Sequence, residues 1–182
     1  FDPQYRAKWE QAKKRGLVLF ANSSGDSSWL NDNTKDGQKF ISAAAPFTRF
    51  FKATNEFDIR PEAEWQKLRN PEHWVQRAKW EYEQAHKTRS DAHYVGGSLV
   101  RPGDMNGNGS GQWFKEVLKL GLDHYQDAWD VHAYPQKPPR FGGPIGNGDS
   151  EDERGVLAAY ASLGKKNSLP FWLGETGAKA MH

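Results

Sequence analysis

Hydrophobic positions in this chain switch repeatedly between helical spacing and short apolar runs. Across residues 3–15, Tyr5, Trp9 and Ala12 fall at i, i+4 and i+7 among Lys, Arg, Gln and Glu, which predicts an amphipathic helix stopped by Gly16. Leu17-Val18-Leu19-Phe20 reads as a short buried strand. The polar stretch 22–37 reads as a long loop. Gln38 to Ala45 predicts a short helix ended by Pro46, and Phe50 to Thr54 a second strand. The sharpest helix signal begins at Asn70, a capping residue, with Pro71 at the first helical position and Glu72 at the positive helix end. Trp74, Ala78, Tyr82 and Ala85 mark its apolar face.

The same alternation continues to the end. Tyr94-Val95 and Ser98-Leu99-Val100 flank Gly96-Gly97 in a third strand, and a glycine-rich loop leads to a helix from Gln112 to Leu122 carrying Trp113, Val117, Leu118 and Leu120. Trp129 to Tyr134 is the fourth strand, followed by a proline- and glycine-rich loop over 135–150. Ser150 caps a helix with an acidic first turn, Glu151-Asp152-Glu153, and an apolar face of Val156, Leu157, Tyr160 and Leu163. Phe171-Trp172-Leu173 supplies the last strand. Strands separated by single helices build a parallel sheet through crossover connections, so the fold class is α/β. A doubly wound open sheet and a closed eight-stranded barrel both fit. No Gly-x-Gly-x-x-Gly turn follows an early strand, which counts against a dinucleotide fold.

Composition narrows the partners. At 182 residues the chain is expected to form a single domain. Its formal charge is only +2, with basic residues scattered rather than striped, so nucleic acid is not an expected partner. With no cysteine there is neither a disulfide framework nor a thiolate metal site, and no apolar run approaches membrane-span length. The sequence opens on Phe1-Asp2-Pro3, which points to processing or truncation upstream.

Two glutamates stand out where apolar, strand-like runs give way to loops: Glu56 after Phe50-Phe51-Lys52-Ala53-Thr54-Asn55, and Glu175 after Pro170-Phe171-Trp172-Leu173-Gly174. Two carboxyl groups at neighbouring parallel strand ends are the minimum equipment for cleaving a glycosidic bond, one as acid and base, the other as nucleophile.

Thr54-Asn55-Glu56, Asp130-Val131-His132-Ala133-Tyr134-Pro135 and Trp172-Leu173-Gly174-Glu175-Thr176-Gly177 resemble strands four, six and seven of the retaining glycoside hydrolases of clan A. Phe57 stands where many clan members carry proline. The resemblance implies a (β/α)8 TIM-type barrel, incomplete here because the chain covers strands three to seven and a whole barrel takes about 250 residues. It implies that Glu56 is the general acid and base, that Glu175 is the nucleophile and that Asn55 binds the sugar 2-hydroxyl. Tyr134 is then expected beside the nucleophile and His132 at the substrate. Of the eight tryptophans, Trp74 and Trp113 read as helix-face core, whereas Trp29, in a polar loop, is the candidate sugar platform. The expected partner is a carbohydrate substrate, with no cofactor, and a further segment or chain is expected to complete the barrel. A secreted or periplasmic setting would suit that role. Two alternatives stay open: an inverting hydrolase, and a catalytically silent glycan-binding fragment of the same fold. Asp104-Met105-Asn106-Gly107-Asn108-Gly109 matches the start of a calcium loop, but Lys115 stands where the bidentate glutamate belongs, so no metal site is assigned.

Overall fold

The computed structural model describes residues 3–22, 34–52, 70–99, 112–133 and 169–176. Within them run α1 (Pro3–Lys14), β1 (Phe20–Asn22), α2 (Thr34–Ala44), β2 (Phe50–Lys52), α3 (Pro71–Thr88), β3 (His93–Leu99), α4 (Gln112–Lys119), a 3-10 turn (Leu122–Tyr125), β4 (Ala128–Ala133) and β5 (Phe171–Thr176). All five strands are parallel and lie side by side in chain order. The expected α/β architecture is therefore present as one continuous sector of a barrel wall.

Period-two alternation gives this wall two chemically distinct faces. Ala21, Phe51, Tyr94 and Trp129 face the helices, where they form one buried cluster with Ile41 and Ala44 of α2, Trp74, Val75, Ala78 and Ala85 of α3, and Val117 of α4. The α3 start follows its sequence: the Asn70 side chain accepts a hydrogen bond from the His73 amide at 3.0 Å, and Pro71 occupies the first turn. Behind the sheet, Glu81 on α3 accepts from the Tyr94 hydroxyl at 2.5 Å and pairs with Arg77 at 2.7 Å, all three buried. Burial, and then the Glu81 charge, hold the Tyr94 hydroxyl well above its ordinary pKa.

The other face is concave. Phe20, Phe50 and His93 occupy one register level of β1, β2 and β3, with ring centroids 5.1 and 5.4 Å apart. Trp172 of β5 meets Phe20 at 5.2 Å and Phe50 at 5.4 Å. In a flat sheet the first and fifth strands stand about 19 Å apart. Direct ring contact between them means that the sheet curls around this face, as a barrel wall does.

Several boundaries differ from the sequence expectation. The run 17–20 is not a buried strand: Leu17 and Val18 are 60% and 68% exposed, and β1 begins only at Phe20. The reason lies in how α1 ends. Gly16 takes the left-handed conformation, its amide donates to the Lys13 carbonyl, and the Leu17 amide donates to the Ala12 carbonyl, so the Leu17 amide is committed to the helix end. The second helix starts at Thr34, inside the stretch expected to be loop. Leu120, expected on the apolar face of α4, is exposed, because the helix stops at Lys119 and Gly121 turns the chain with φ of 82°. The last strand, expected over 171–173, extends through Thr176 and takes in Glu175 near its end. The expected helix over 150–163 and the calcium-like loop lie outside the described residues.

Candidate active site

The C-terminal ends of parallel strands open on the same side of the wall, and His132 and Glu175 belong to these ends. β2 runs upward from Phe50 to Lys52 and leads, four residues on, to Glu56. β4 carries His132 next to its last residue, and β5 carries Glu175 in the corresponding place. These two are direct register partners across the β4–β5 pairing. The pairing runs Asp130 with Trp172 and Val131 with Leu173, then shifts so that His132 stands opposite Glu175 and Ala133 opposite Thr176. One extra residue of β5, Gly174, is absorbed at the shift. Thus His132 and Glu175 come together at the backbone level, whereas Asn55, Glu56, Tyr134 and Trp29 lie outside the described residues.

Just beneath these strand ends sits a polar element that sequence reading missed. Lys52 Nζ lies 2.7 Å from Asp130 Oδ2, and the two residues are only 9% and 1% exposed. Both belong to the concave face. Lys52 is level with Val95 and Ala128, buried residues that stand apart from the helix-side cluster, and Asp130 follows Ala128 by one alternation on β4. The signal was present as one isolated charge of each sign inside an apolar strand run, Phe-Phe-Lys and Ala-Trp-Asp-Val. A lone charge at an inward strand position requires a partner, since an unpaired buried charge is too costly to persist.

Lower on the same face, Phe20, Phe50 and His93 form the floor, and the ring of Trp172, the register partner of Asp130, meets Phe20 and Phe50. Trp172 links β5 to β2, the strands from which Glu175 and Glu56 arise, across the concavity. Among the described residues no group of three His, Cys, Asp or Glu could hold a metal ion, and no helix is long and apolar enough to cross a membrane.

The fold is shared with solved structures. Fpglu1 from Fervidobacterium pennivoraus superposes with a TM-score of 0.60 at 14% identity, over 95% of this chain and 54% of its own. A family 39 glycoside hydrolase from Bacteroides cellulosilyticus gives 0.61 at 16% identity, over 98% and 39%. A β-glucuronidase from Bacteroides uniformis gives 0.58 at 13%, over 95% and 19%. The fold is a sector of a TIM-type barrel. The chain spans about half or less of the length of each of those proteins. No family model matches the sequence, and no curated protein matches it.

Proposed function

We propose that this glycosidase-type sector carries the catalytic pair of a retaining glycoside hydrolase acting on an oligo- or polysaccharide. Glu56 protonates the leaving glycosidic oxygen while Glu175 attacks the anomeric carbon, breaking one C–O bond and forming the glycosyl-enzyme ester. Glu56, now ionised, takes a proton from water, whose oxygen displaces Glu175 and releases the sugar. Asn55, His132, Tyr134 and Trp29 are the proposed substrate contacts, and no cofactor is required.

The observation that supports this reading best is the contact of Trp172 with Phe50 across the concave face. It brings β2 and β5 within side-chain reach of one another, and a retaining pair needs its carboxyl groups about 5 Å apart. An inverting pair, about 6.5–9.5 Å apart to admit a water, would instead invert the configuration of the released sugar. The test is turnover of a panel of activated aryl glycosides, with the first-formed anomer followed by NMR. Retention is expected, together with a covalent fluorosugar adduct on Glu175, and Glu175→Gln should lose both turnover and labelling. Full activity in that variant would reject the assignment.

One feature favours a second reading for the chain on its own. Phe20 is 38% exposed and His93 is exposed, although both stand at the floor level of the concave face, which a complete barrel encloses. We therefore propose that additional strands, from a further segment or chain, cover this floor in the working unit. Alone, the sector would bind glycan weakly without hydrolysing it; calorimetric binding without turnover would mark that case.

A further inference from the structure

The buried Lys52–Asp130 pair has no role in the reaction just described, and stability does not account for it. Two charges withdrawn from water recover at best what desolvation takes away, and apolar residues of similar volume commonly hold a fold as well or better. What an ion pair adds is direction, because its length and angle are fixed by hydrogen bonding. Here that direction runs across the sheet. Lys52 lies on β2 and Asp130 on β4, so the bond passes over the intervening strand β3. At this height β3 offers Val95, level with Lys52 and Ala128, and then Gly96, level with Trp129.

The two ends of this bond connect to the proposed catalytic residues by short stretches of chain. Lys52 is the last residue of β2, four positions before Glu56. Asp130 precedes His132 by two positions on β4, and His132 is the register partner of Glu175. We propose that Lys52 and Asp130 are positioning residues, an ion-pair clamp that fixes the exit of β2 relative to the β4–β5 pair and thereby sets the separation of Glu56 and Glu175. The inference rests on the two-glutamate reading above. Neither residue touches substrate; both act through the backbone beneath it. Displacement by about 1 Å in such a site lowers the rate by about 100-fold.

The test replaces the clamp by apolar residues of similar size, Lys52→Met with Asp130→Leu, in the full chain. Because the sequence holds no cysteine, Glu56→Cys and Glu175→Cys give unique attachment points for two nitroxide labels, and their dipolar broadening reports the separation without any need for turnover. Strong, uniform broadening is expected with the clamp intact. In the apolar variant it should weaken and spread, while urea unfolding stays near that of the parent. In chains retaining both glutamates, kcat on an aryl glycoside should fall by about 100-fold with KM changed less than ~3-fold, the pattern of lost transition-state alignment. Should the apolar pair fail to fold, Asp130→Asn, which keeps the side-chain shape, is measured by the same readouts and is expected to shift them in the same direction. Unchanged broadening in a folded variant, or unchanged kcat where the parent turns over, overturns the clamp. Absence of broadening in the parent itself rejects the paired-glutamate reading, and the clamp with it.

Discussion

Tyr94→Phe tests how the wall is held from behind. The substitution removes one hydroxyl, which donates to Glu81 at 2.5 Å in a buried setting, and leaves the ring in the cluster of Trp74, Phe51 and Trp129. A hydrogen bond to a charged acceptor contributes about 1.5–3 kcal/mol. Glu81 keeps its partner Arg77 at 2.7 Å, so the carboxylate is not stranded and the expected loss lies near 2 kcal/mol, or about 4–8 °C in Tm for a chain of this size. The pH dependence gives a sharper signature. Burial, then Glu81, raise the Tyr94 pKa well above its ordinary value, so the folded state keeps the proton after the unfolded state begins to release it. Stability from this group is therefore complete below pH ~10 and is lost as pH rises beyond it. Phenylalanine does not titrate. The stability gap between parent and variant should be about 2 kcal/mol at pH 8 and should narrow as pH rises to 11, measured by urea unfolding with circular dichroism. Tyr82, whose pKa is also raised by burial and then by Asp127, is present in both proteins and cancels from the difference. A gap that is constant from pH 8 to pH 11 would refute the upward shift of the buried Tyr94 hydroxyl.

Two further substitutions probe the same wall. Gly96→Ala would set a Cβ 2.5 Å from the buried Gln126 Oε1, so a loss of about 1–3 kcal/mol is expected, most of it recovered when Gln126→Ala is added; a double-mutant cycle with no coupling would contradict the contact. Asn70→Ala removes the cap accepting from the His73 amide and should cost about 1 kcal/mol in urea unfolding, with Asn70→Asp retaining most of the stability.

The parts of the fold that were legible in the sequence are those governed by local chemistry. The α3 cap depends on Asn70, Pro71 and Glu72, neighbours in the chain, and its buried face on a repeat of Trp74, Ala78 and Ala85 that any helix would impose. The crossover order followed from alternation of helix and strand signals and emerged as five parallel strands in sequence order. Features set by contacts between distant segments were not legible. Leu17 and Val18 look like strand by composition, yet the Schellman closure at Gly16 holds the Leu17 amide and moves β1 three residues onward. The Lys52–Asp130 bond needs a register that only the assembled sheet supplies.

The same reasoning bears on Glu175, expected where the last strand ends and found next to the last residue of β5. Trp172 is on the concave face by its ring contacts with Phe20 and Phe50. Strict alternation would then assign Gly174, not Glu175, the same parity, and a sequence reader counting by two would set the glutamate on the helix side. The register does not stay strict. Across from β5, Ala128, Asp130 and His132 share one parity, and the shift between Val131 and His132 pairs Glu175 with His132 instead of with its neighbour. A one-residue slip exchanges the faces of everything that follows it, so the irregularity at Gly174 decides which backbone positions reach the concave side at the strand end.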